Sequence, residues 1–247
     1  MKSSNPAFNN KAIQQMRQYS AAGNIMTIQG TVNKTLIMLG LVTVTFFYTW
    51  DKFMTTMNPG SIMPQFIIGI IGGLIFAMIT IFKKEWSPIT APIYALLEGF
   101  VLGGISAMLE VKYPGIALQA VSLTFGVMFA LLLAYQSGKI RATEKFKRGV
   151  IIATGGIFVV YLASFILSFF GMGNLSIFGS GIMGIGFSLI VVVVAALNLI
   201  LDFDFIETAA REGYPKFVEW YGAFGLMVTL IWLYIEILRL LSKLRNN

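Results

Sequence analysis

Of the 11 acidic residues in this chain, five fall inside strongly apolar segments or at their margins: Glu98, Asp202, Asp204, Glu219 and Glu236. A charge held at bilayer depth costs about 3 kcal/mol or more unless it is paired or hydrated, so chains that carry one usually use it. Glu98 lies in APIYALLEGFVLGGIS, about ten residues from either end of its segment, too deep to reach the surface by stretching. Asn198 and Asp202 are four apart and share a helix face with Ala195, whereas Asp204 points roughly opposite, towards solvent or a basic partner near the membrane surface. Glu219, beside Trp220, reads as a helix N-terminal acid favoured by the macrodipole. Glu236 follows Trp232 by one turn and precedes Arg239 by three residues. Two readings are open for it: an i, i+3 ion pair with Arg239, or a meeting with a carboxylate from another helix. Two carboxylates a few ångströms apart share a proton and titrate as a pair, which would make a proton-sensitive latch.

Other chemistries lack their residues. There is no Cys and no His, which removes thiolate and imidazole metal sites, disulfides and the usual neutral-pH switch. Any response to pH must come from carboxylates. The pair Asp202-Phe203-Asp204 is not the Gly-x-Gly-Asp motif of intramembrane aspartyl proteases, and His-based peptidase constellations are impossible, so catalysis is not expected.

The elements that must position these acids are membrane helices. Hydrophobic residues make up 57% of 247 positions, charged residues 12%, and the mean hydropathy is +0.79, outside the range of soluble domains. The apolar runs are too long and continuous for a membrane β-barrel. The expectation is an all-α integral membrane protein, a seven-transmembrane-helix bundle. A polar cytosolic tail occupies 1–33, with a short helix near Ala12 to Tyr19. The spans run over about 34–50, 62–82, 88–109, 116–135, 150–170, 182–201 and 219–241 in a single domain, 34–241, and 242–247 form a short basic tail.

The net charge of +7 reads as topology and lipid-headgroup contact; nucleic acid is not an expected partner. Thirteen of the 18 Lys and Arg residues fall in the tail and the even-numbered loops, which places the N-terminus in the cytoplasm. Seven spans then put the C-terminus outside, although it is basic; a re-entrant last segment is the alternative. Small residues at helical spacing, Gly69 and Gly73, Gly99 and Gly103, Ser180 and Gly184, fit close helix packing.

Several stretches together carry a family resemblance: LIWLYIEILRLL from Leu230 to Leu241, ALNLILDFDFIE, EGFVLGGIS, KIRATEKFKRG and MTIQGTVNKT. The chain resembles the Bax inhibitor (YccA-like, TMBIM) family, in a bacterial branch. The resemblance implies a seven-helix fold with the last helix central, a plasma-membrane location, and a pH-sensitive leak of calcium down its gradient, with no bound cofactor. It also implies a gating pair of acids on helices six and seven. By position these are Glu236 and Asp202, with Asp204 as the alternative sixth-helix member; the arginine that the family places on helix two has no counterpart in 62–82. Asp202 and Glu236 would offer calcium a weak, transient site, since they fall short of its usual six to eight oxygens. Glu98, Asp204, Asn198 and Arg239 are the further candidates for an ion pathway or gate.

Two other functions compete with a channel for calcium ions and protons in the lipid bilayer. One is a proton-coupled transporter with Glu98 and Glu236 as relay. The other is a non-catalytic regulator that binds other membrane proteins.

Overall fold

The computed structural model describes residues 24–170 and 176–246; the helix expected near Ala12 to Tyr19 lies outside them. Seven helices follow one another: α1 Ile28–Thr56, α2 Pro59–Phe82, α3 Ser87–Lys112, α4 Ile116–Gln136, α5 Glu144–Phe169, α6 Ile182–Arg211 and α7 Val218–Arg245. Each is long and apolar enough to cross a membrane. The chain is therefore an integral membrane protein, an all-α seven-helix bundle.

Most helices exceed their expected spans, because polar residues at the ends cap and extend them. Thr27 caps α1, its hydroxyl accepting from the Gly30 N–H at 2.9 Å, so the helix begins at Ile28 and not near Lys34. Thr143 caps α5 by accepting from the Phe146 N–H at 3.3 Å, so the helix begins at Glu144, six residues ahead of the apolar run. At the α3–α4 turn, Gly115 adopts φ 82°, and Glu110 accepts from its N–H and from that of Ala117. The expected basic tail 242–247 is largely the last turn of α7, and Lys243 within it is buried.

The turns sort the bundle into two ends. At the first, the residues before α1 lie against the α6–α7 turn: Ile25 bridges Pro215, and the Met26 N–H donates to the Tyr214 carbonyl at 2.8 Å. Ser87, at the start of α3, donates to the Phe217 carbonyl at 3.0 Å. At the second end, Arg245 donates to the Pro114 carbonyl and Asn246 to Ser180. α7 is continuous between the ends, so it is a full span and not a re-entrant loop.

The core gathers on α7, which packs against α1, α3, α4 and α6. The most apolar window of α7 is 61% buried, against 11% for that of α5 and 17% for that of α2. Large apolar side chains such as Ile68, Leu74, Ile152 and Phe158 point outward from those two helices, as lipid contact requires. Without water to drive helices together, close approach supplies the attraction. Gly99 and Gly103 let α3 lie against the α1 backbone, where a side chain would collide with the carbonyls of Val42 and Phe46. Gly69 and Gly73 do the same for α2 on α3, meeting the Leu97 carbonyl and the Glu98 carboxylate.

Candidate functional site

Asp202 sits on α6 where that helix meets the first half of α7. Its carboxylate faces Gly225, where an added Cβ would lie 3.7 Å from Oδ1, and Thr229 is the polar side chain beside it. Oδ2 is buried, and no group among the described residues hydrogen-bonds to it. Leaving such an acceptor unpaired costs about 1–3 kcal/mol, more if it is charged, so a proton or a cation at this oxygen relieves the site.

Glu236 is buried nearer the second end. Its Oε1 accepts from Arg239 Nη1 at 2.7 Å and from the Tyr161 hydroxyl of α5 at 2.9 Å, while Arg239 Nη1 also donates to that hydroxyl at 2.6 Å. Oε2 is buried with no partner among the described residues. The ion pair within α7 is thus the arrangement formed, and Tyr161 closes it into a triangle.

The structure does not bring Asp202 and Glu236 together. Asp202 stands nine residues before the end of α6, and its neighbours Gly225 and Thr229 lie about as far past the start of α7. Glu236 lies seven residues beyond Thr229, about 10 Å further along the axis at 1.5 Å per residue. The physical reason is the register of an antiparallel hairpin: equal distances from the turn face each other, and Glu236 is twice as far from it as Asp202. The two acids therefore occupy separate levels of α7 and not one cation site; among the described residues no three His, Cys, Asp or Glu side chains cluster to hold a metal.

The remaining candidates divide between α5 and α2. Asp204 pairs with Lys147 of α5 at 2.7 Å, and Asn198 donates to Thr154 of α5 at 2.9 Å. With the Tyr161 triangle these ties hold α5, the most lipid-exposed helix, at three depths. Glu98 is half-buried in the α2–α3 seam, where a Cβ at Gly73 would stand 2.9 Å from its Oε1. The Tyr94 hydroxyl lies beside it, and the Tyr94 ring meets Phe224 of α7 edge-on at 5.0 Å.

Sequence reasoning underrated Glu219. It is buried and accepts from Lys34 Nζ at 2.6 Å, the Thr27 N–H at 3.0 Å and the Thr27 hydroxyl at 3.1 Å, pinning the start of α1 to the start of α7. Tyr161 was missed altogether. The one tyrosine of that apolar run was the available signal, because a buried tyrosine needs a partner.

Two cavities approach the acids from opposite ends. One of about 960 Å³ opens between α1, α4 and α6 at the first end, carries Asp204, Glu207, Arg141 and Arg211, and reaches Leu226, the neighbour of Gly225. The other, about 590 Å³, opens at the second end and reaches Tyr161 and Arg239, the partners of Glu236. Between these levels Leu230, Leu233 and Tyr234 of α7 are buried in the core.

Fold and site together define a polytopic membrane protein whose buried acids lie along a central helix. More particularly, residues 5–246 match the family model described as Bax inhibitor 1 like, and the chain belongs to that family. A comparison with individual curated proteins finds none that matches.

Proposed function

We propose that the protein is a pH-sensitive, calcium-permeable leak, non-catalytic, whose packed bundle is the closed form. The observation that carries this reading is the two buried carboxylates, Asp202 and Glu236, each with one oxygen that has no partner among the described residues, with one vestibule reaching as far as Leu226 and another as far as Tyr161 and Arg239. With a proton on Asp202 the α6–α7 contact carries no net charge and stays packed. Loss of that proton leaves an unsolvated anion against Gly225 and Thr229, and parting α6 from α7 admits water to it. A permeating cation would then meet Asp202 and Glu236 in succession as two weak, hydrated stations and not as one latch. Calcium is the proposed ion on the family resemblance and on its preference for carboxylate and water oxygens. The basic residues around the first end, among them Lys83, Lys84, Lys139 and Lys145, favour the cytoplasm for that side.

The test is calcium-dye flux in proteoliposomes between about pH 5 and 8, a range in which a buried carboxylic acid can titrate. The leak is expected to rise with pH in the wild type, to be low and flat in Asp202→Asn, and to keep its pH step in Glu236→Gln. A full pH step in Asp202→Asn would overturn the gate, and no flux above empty liposomes would overturn the channel.

A further inference from the structure

The cavity at the second end has a chemistry that a cation pathway does not call for. Lys112 of α3 and Arg239 and Lys243 of α7 all line it, and among the described residues no carboxylate does. Polar groups from other elements complete the wall, among them Ser164 of α5, Ser180 ahead of α6 and Asn246 after α7.

Each cation has capacity to spare. Lys243 is buried, yet its ammonium rests on neutral acceptors only, the Gly184 carbonyl at 3.0 Å and the Ser188 hydroxyl at 2.9 Å. A lysine has three N–H donors, so one remains. Arg239 commits Nη1 to Glu236 and Tyr161, while its Nε and Nη2 donors have no protein acceptor among the described residues. Lys112 lies over the Tyr113 ring, 5.0 Å from its centroid, and forms no salt bridge among the described residues. Among the described residues the only acid bonded to any of the three, Glu236, sits behind Arg239 and is buried. Burying a lysine without a counter-ion is costly, and an anion in the cavity would offset that cost.

We infer that this vestibule is a binding site for a phosphate-type oxyanion, held by Lys112, Arg239 and Lys243 with hydroxyl donors around it. The fork of Arg239 supplies the planar pair of donors that phosphate oxygens match, and the two lysines act as point charges. The shared chemistry has two sources, a soluble phosphate or the phosphate of a lipid headgroup. The site shares its vestibule with the proposed leak, but its test reads binding and not flux, so either reading can fail without the other.

The experiment uses full-length protein in a phosphate-free, non-phospholipid detergent. Inorganic phosphate is titrated by calorimetry, and phospholipid retained from vesicles containing phosphatidylglycerol is counted by native mass spectrometry. Saturable phosphate binding, weakened about fivefold in Lys112→Gln as one partly solvated charge predicts and on the order of 50-fold in Arg239→Gln, identifies a soluble anion. Retained phospholipid that is lost in both variants, without binding of free phosphate, identifies a headgroup. Lys112 is exposed, so its variant tests the site even if Arg239→Gln fails to fold. Neither ligand bound, or binding unchanged in Lys112→Gln, overturns the inference.

Discussion

A double-mutant cycle on Glu236 separates the arrangement described above from a shared-proton latch. Glu236→Gln removes the charged acceptor from a 2.7 Å contact with Arg239 and a 2.9 Å contact with Tyr161. Hydrogen bonds to charged groups contribute about 1.5–3 kcal/mol each. The Arg239 side chain is 38% exposed to the second-end cavity, so water competes for it and lowers the expected coupling to about 1–2 kcal/mol. The cycle of Glu236→Gln with Arg239→Gln should show that coupling in unfolding free energy, measured by denaturant titration in detergent micelles. Asp202 shares no partner with Glu236 and lies about 10 Å away along α7. Sites so separated add within about 0.5 kcal/mol, so the cycle of Glu236→Gln with Asp202→Asn should show no more than that. A coupling above about 1 kcal/mol between Asp202 and Glu236, with none between Glu236 and Arg239, would refute the geometry.

Two further outcomes concern the scaffold. Glu219→Gln should destabilise the protein by about 2 kcal/mol and expose the segment ahead of α1 to protease, because Lys34 and the Thr27 N–H lose their charged acceptor; limited proteolysis that leaves residues 24–28 as protected as in the wild type would contradict the anchor. Gly103→Val should lower the unfolding temperature by several degrees, since its side chain meets the Phe46 backbone, which cannot step aside. Gly126→Val, with nothing near its Cβ, is the control that should leave the temperature nearly unchanged.

The class and much of the plan were legible in the chain. Long apolar runs can satisfy their backbone in a bilayer only as helices, so their number follows from hydropathy alone. The packing role of Gly99 and Gly103 followed from spacing. Boundaries were less legible, because Thr27 and Thr143 extend α1 and α5 through polar residues that hydropathy assigns to tail and loop. The separation of Asp202 from Glu236 is legible by counting outward from the turn between α6 and α7, nine residues to one and eighteen to the other.

The sequence by itself determined that this is a seven-helix membrane protein with a few acids at depth and no thiol or imidazole anywhere, because composition sets the solvent and the solvent sets the secondary structure. Only the tertiary structure decided what each acid meets. Glu219 meets Lys34, 185 residues away; Asp204 meets Lys147; and Glu236 meets Tyr161 as well as the Arg239 of its own helix. Lys112 and Lys243 read as interface charges until the fold sets them, with Arg239, around one cavity. Partners far apart in sequence are chosen by which helix faces pack, and neither hydropathy nor periodicity carries that information.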